Sequence, residues 1–116
     1  KRIAQIATLN YRQSYPQVDA TIIVNTTQLI WLPLEEYAVE YIALRTSSGT
    51  ASVTPRIDAT AMGVTGGVPI TATTTATRYS VTTDNETAAM SYVDLIVAGL
   101  GAGANLVCAL GVRRLR

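Results

Sequence analysis

The chain has 116 residues, 48% hydrophobic and 15% charged, with nine Lys and Arg against eight Asp and Glu. That length suits a single domain with its own core, and a net charge of +1 gives the domain as a whole no basic footprint for nucleic acid. There is no histidine and one cysteine, Cys108, which removes Ser-His-Asp and Cys-His catalysis, the usual zinc sites and an internal disulfide framework.

Charged residues make up about a quarter of an average soluble chain. A Thr- and Ala-rich chain with fewer either hides surface against partners or lives in an assembly. No apolar run is long enough to span a bilayer, so no membrane partner is expected. No charged segment followed by an apolar one marks a signal peptide. A chain opening at Lys1 is expected to have lost an initiator Met or a longer leader. Cys108 lies in an apolar run and reads as a buried small hydrophobe.

In chain order, Ile3–Tyr11 reads as a first strand, broken at Ser14-Tyr15-Pro16-Gln17. Val18–Val24 is a second, rich in β-branched residues. Asn25-Thr26-Thr27 is a turn, Gln28–Leu32 a third strand, and Pro33 ends it. Leu34-Glu35-Glu36 suits one helical turn. Tyr37–Thr46 is apolar on both faces, as a strand near a sheet centre would be. Ser48-Gly49 supplies a turn into Ala51–Thr60, where Ala51, Val53, Pro55, Ile57 and Ala59 alternate with polar residues. Tyr37–Thr60 therefore reads as a hairpin.

Ala61–Pro69, with Gly63, Gly66 and Gly67, reads as a loop or wide bend. Ile70–Thr77 reads as an exposed strand or extended arm, because Thr is stiff at χ1 and favours strands. Arg78–Thr83 continues or restarts a strand, Asp84–Thr87 is a turn, and Ala88-Ala89-Met90 suits a short helical turn. Ser91–Ala98 and Leu106–Val112, joined through the Gly-rich 99–105, read as a closing hairpin. The whole predicts one all-β domain over residues 1–116, an antiparallel β-sandwich or jelly roll of about eight short strands with short basic termini.

The carboxylates show no spacing that favours a glycosidase pair, so no catalytic residue is assigned and no cofactor is implied. Asp84-Asn85-Glu86 has oxygen ligands for calcium, but the EF-hand pattern is absent and a polar turn explains it. Asn25-Thr26-Thr27 and Asn85-Glu86-Thr87 match the glycosylation sequon, as chance allows in a Thr-rich chain. Trp31 and the six tyrosines suit core and interface packing more than a sugar platform.

What is left is a binding or assembly module. The hairpin Tyr-Ile-Ala-Leu-Arg-Thr-Ser-Ser-Gly-Thr and the Leu95–Arg114 hairpin, in a small His-free β chain, resemble the small capsid decoration (cement) proteins of tailed bacteriophages. The similarity is one of style over the whole chain, without a diagnostic motif. It implies a virion protein on the capsid surface, often a trimer, that clamps a major capsid or other virion protein. The uncharged Ile70–Thr77 run needs cover against uncontrolled edge pairing, and a second copy would provide it in closed symmetry. Candidate partner contacts are therefore Lys1, Arg2, Ile70, Thr71, Thr73, Thr75, Arg113, Arg114 and Arg116. Two alternatives are a receptor- or glycan-binding module of a viral tail or fibre, and a main shell coat protein touching genome through its basic termini.

Overall fold

The computed structural model describes residues 17–115, which form eleven strands and no helix. One sheet holds β1 (Gln17–Ile22), β3 (Tyr37–Thr46), β6 (Gly63–Val64), β8 (Thr77–Thr83), β9 (Glu86–Thr87) and β11 (Leu106–Arg114). Its order is β1-β11-β3-β8-β6, with β9 also on β3. The second holds β2 (Thr27–Trp31), β4 (Ala51–Ile57), β5 (Thr60–Ala61), β7 (Ile70–Ala72) and β10 (Val93–Ala98), in the order β2-β10-β4-β5 with β7 also on β4. Every pairing is antiparallel.

Setting aside the two-residue strands β5, β6 and β9, the other strands change sheet at every connection except that from β4 to β7, which are neighbours in one sheet. The order β1-β11-β3-β8 in one sheet faces β2-β10-β4-β7 in the other. This is the wiring of a jelly roll. The expected all-β sandwich is the fold of the chain.

The expected hairpins are not hairpins. β3 and β4 lie in different sheets, and so do β10 and β11. Each link is an arch that carries the chain across the core. A hairpin and an arch require the same alternation in both arms, because in each case one face of each arm is buried. Both lateral edges of β3 are taken by β11 and β8, and those of β4 by β10 and the pair β5 and β7. Gly49, at φ +66°, turns the first arch in the left-handed region that glycine tolerates.

The core lies between the sheets. Val39, Ile42, Leu44, Leu106 and Leu110 come from one side, and Val53, Ile57, Leu95 and Val97 from the other. Each contributes about 1.5–3 kcal/mol through burial. β4 alternates strictly, with Ala51, Val53, Pro55 and Ile57 inward. β3 breaks its own alternation. Its register with β11 passes from Tyr41↔Gly111 to Val39↔Val112, so Glu40 is the extra residue of a bulge. The bulge turns both Val39 and Ile42 inward and leaves Tyr41 outside.

Local differences have local causes. The strand expected over Ala51–Thr60 ends at Ile57, because Asp58 and Ala59 both take positive φ and turn the chain into β5. The strand expected over Val18–Val24 ends at Ile22. Leu34–Glu36 is a bend without helical bonds. Ala88–Ser91 is a β-turn, closed by the Ser91 amide donating to the Ala88 carbonyl at 3.2 Å. The stretch expected to be a loop contains β6, held by β8. The strand expected over Ile3–Tyr11 lies outside the described residues.

Candidate interaction surface

Two strand edges lie on one flank. Among the described residues β1 pairs only with β11, and β2 only with β10. Around these edges Ile23, Val24, Leu29, Leu32 and Leu34 are exposed, Leu34 most of all at 76%. Apart from Asp19 on β1, neither strand carries a charge.

The Ile70–Thr77 run is divided. Ile70 and Ala72 are buried in this chain's own core, and β7 pairs with β4 through Val53↔Ile70, Ser52↔Thr71 and Ala51↔Ala72. Ile70 therefore cannot serve as a surface contact in this fold. Thr71, Thr73 and Thr75 remain exposed. The Thr73 carbonyl accepts from the Thr46 amide at 2.8 Å, so the segment is tied back to the first arch.

Arg113 and Arg114 are not a loose tail. They belong to β11, opposite Ala38 and Tyr37. Arg113 Nε donates to Glu40 Oε2 at 2.9 Å, and Arg114 pairs with Glu35. Lys1, Arg2 and Arg116 lie outside the described residues.

The aromatics divide as well. Trp31 and Tyr37 pack on the core, with ring centroids 5.1 Å apart at 58°. Strict alternation would put Tyr37 and Tyr41 on one strand face, but the Glu40 bulge separates them. Tyr41 lies on the outer face over Gly111, whose missing Cβ would stand 3.4 Å from Tyr41 Cδ2. The Arg78 guanidinium sits 4.4 Å from the centroid of the Tyr41 ring. A shallow hollow of about 480 Å³ opens beside this stack, floored by Ala43, Ala109 and Gly111. Sequence reasoning missed this stack, because it joins three strands whose register is long-range.

Both sequon asparagines have structural work. Asn25 Nδ2 donates to the Leu100 carbonyl at 3.0 Å, and its Oδ1 accepts from the Leu100 amide at 2.8 Å. Asn85 Nδ2 donates to the Val39 carbonyl at 2.8 Å. Near Asn85, Asp58, Asp84 and Glu86 edge an open hollow. Asp58 is already engaged, accepting from Ser91 Oγ at 2.9 Å and from the Tyr92 amide at 2.8 Å. No group of three or more metal-ligating side chains converges among the described residues.

On the other sheet's outer face, Arg56 and Asp94 form a two-bond ion pair at 2.9 and 2.8 Å. Those bonds hold the guanidinium above its ordinary pKa. Cys108 is buried. Burial pushes its thiol up to about 12, with Asp19 adding to the rise, so the reactive thiolate is suppressed.

The surface therefore offers edges, faces and one small polar stack, suited to contact with another protein. No protein-family model matches the chain, and none of the curated proteins does.

Proposed function

We propose that this chain is a non-enzymatic virion structural protein that works by protein–protein contact with a capsid shell. The observation that carries the reading is the jelly-roll wiring combined with the apolar, nearly uncharged flank at β1 and β2. Jelly rolls serve in viral capsid and lectin domains, and this support is fold-level analogy. An exposed apolar edge needs a partner to cover it. The first form of the proposal is a decoration subunit, clamping neighbouring shell proteins as a homo-oligomer, with a trimer expected.

A second form, a main shell coat protein, is favoured by the division of charge. Residues 1–16 carry Lys1, Arg2 and Arg12 with no acid, a charge of +3. Residues 17–115 carry five arginines against eight acids, a charge of −3. A basic segment on an acidic body suits contact with genome on one side only.

One experiment separates the forms. The purified chain is followed by analytical ultracentrifugation alone, with nucleic acid, and with empty shells of the source virion. A decoration subunit sediments with shells at fixed stoichiometry. A coat protein builds particles by itself and binds nucleic acid with steep salt dependence. A chain that remains monomeric at tens of micromolar and binds neither shells nor nucleic acid would overturn both forms.

A further inference from the structure

We infer that the outer face of the β3–β11–β8 region docks an extended acidic segment of a partner protein, with Arg78 as its anchor. The inference rests on the reading of the chain as a protein-binding module and names the contact chemistry. Five arginines lie among the described residues. Arg56, Arg113 and Arg114 are each ion-paired within the chain. Arg45 and Arg78 have no carboxylate within ion-pair distance among the described residues, and both are exposed on this one face.

Arg78 is already positioned. Its guanidinium stacks on the Tyr41 ring at 4.4 Å, and Tyr41 in turn rests on Gly111. Stacking restricts the side chain and leaves its N–H edge open, the geometry that accepts a carboxylate through two parallel hydrogen bonds. The Ala43, Ala109 and Gly111 floor of the hollow is low enough for an extended backbone to lie across it.

Arg45 adds a second point of charge. Arg78 stands opposite Ala43, and Arg45 follows two residues along the same face of β3. The Arg78 guanidinium leans over Tyr41, four residues from Arg45 along β3, a separation of about 13 Å at roughly 3.3 Å per strand residue, so the matching extended ligand has acidic residues four positions apart. Two carboxylates oppose it. Glu40 is held by Arg113, and Asp19, which keeps its charge, lies on β1, three strand spacings of about 4.8 Å across the sheet from Arg78, so neither neutralises Arg78.

The test uses the full chain and the peptide Ac-Glu-Thr-Glu-Thr-Glu-NH2, with its Gln counterpart as control, followed by NMR. The Glu peptide should shift the Arg78 side-chain and Gly111 amide signals, and Arg78→Gln should weaken it about tenfold. Arg114→Gln, remote from the hollow and paired with Glu35, should leave binding unchanged. Equal binding of the Gln peptide, or equal loss in both variants, would overturn the inference. So would no binding at millimolar peptide. Shell sedimentation then separates the two proposals. If the native chain binds shells and Arg78→Gln binds equally well, the inference fails and the virion reading stands. If the native chain stays monomeric and binds neither shells nor nucleic acid but the peptide results hold, the virion reading fails and the acidic-segment site stands.

Discussion

The Ser47 amide donates to the Asn105 carbonyl at 2.9 Å, and the Asn105 amide donates back to Ser47 Oγ at 2.8 Å. Ser47 is the first residue after β3 and Asn105 the last before β11, so these bonds extend the β3–β11 ladder by one pair at the point where both arches leave that sheet. Ser47→Ala removes one acceptor and should lower stability by about 0.5–1.5 kcal/mol. Urea unfolding measures this, and amide exchange at Asn105 should quicken. Unchanged exchange there would show that the arches hold independently.

The parity of β4 sets a sharper contrast. Ile57 faces the core and is 6% exposed, whereas Thr54 faces outward beside Ile96. Ile57→Asp places a charge among apolar side chains and should abolish or nearly abolish folding. Thr54→Asp should stay within about 0.5 kcal/mol of the native chain, as surface changes usually do. Similar melting temperatures for the two variants would contradict the register.

Arg56 and Asp94 are directly opposite across β4 and β10 and share two hydrogen bonds. Asp94→Ala should lower the melting temperature. Arg56→Lys should also lower it, because a single ammonium cannot reproduce the planar fork. High salt should narrow the difference between native and variant proteins only slightly, since the pair is partly buried. A native-like melting temperature for Arg56→Lys would show that charge alone is enough.

The Cys108 thiol sits at about 12 in the folded chain, above its ordinary value. Between those values the unfolded chain releases this proton and the native chain retains it. Native stability should therefore fall as pH rises through this window, by up to about 1.4 kcal/mol per pH unit from this group. Below the window the group has no effect on pH dependence. Cys108→Val should show a shallower alkaline slope in urea midpoints. A thiol reagent at neutral pH should react only on unfolding, so rapid labelling of the native chain would contradict the burial.

Gly63 pairs with Thr83, and a Cβ on it would stand 1.9 Å from Thr83 Oγ1. Gly63→Ala should destabilise the chain by about 1–3 kcal/mol, as overpacking does. Adding Thr83→Ala removes the clashing hydroxyl and should restore part of the loss. Thermal melts of the single and double variants decide it, and additive losses would exclude steric conflict as the cause.

Alternation alone placed the main strands in the sequence. Ala51, Val53, Pro55 and Ile57 could only be one face of a half-buried strand, and the apolar Tyr37–Thr46 belonged near a sheet centre, which is where β3 lies. The pattern could not say which strand lies beside which. A four-residue link such as Ser47–Thr50 can return the chain within a sheet or carry it over the core, and both outcomes bury the same side chains. Competition for strand edges decided it, since β11 and β8 fill both sides of β3. The same long-range register inserted Glu40 as a bulge, moved Tyr41 away from Tyr37, and drew Arg113 and Arg114 into β11. Arg78 over Tyr41 over Gly111 was illegible for that reason. Its members come from three strands far apart in the chain, and only tertiary pairing brings them into contact.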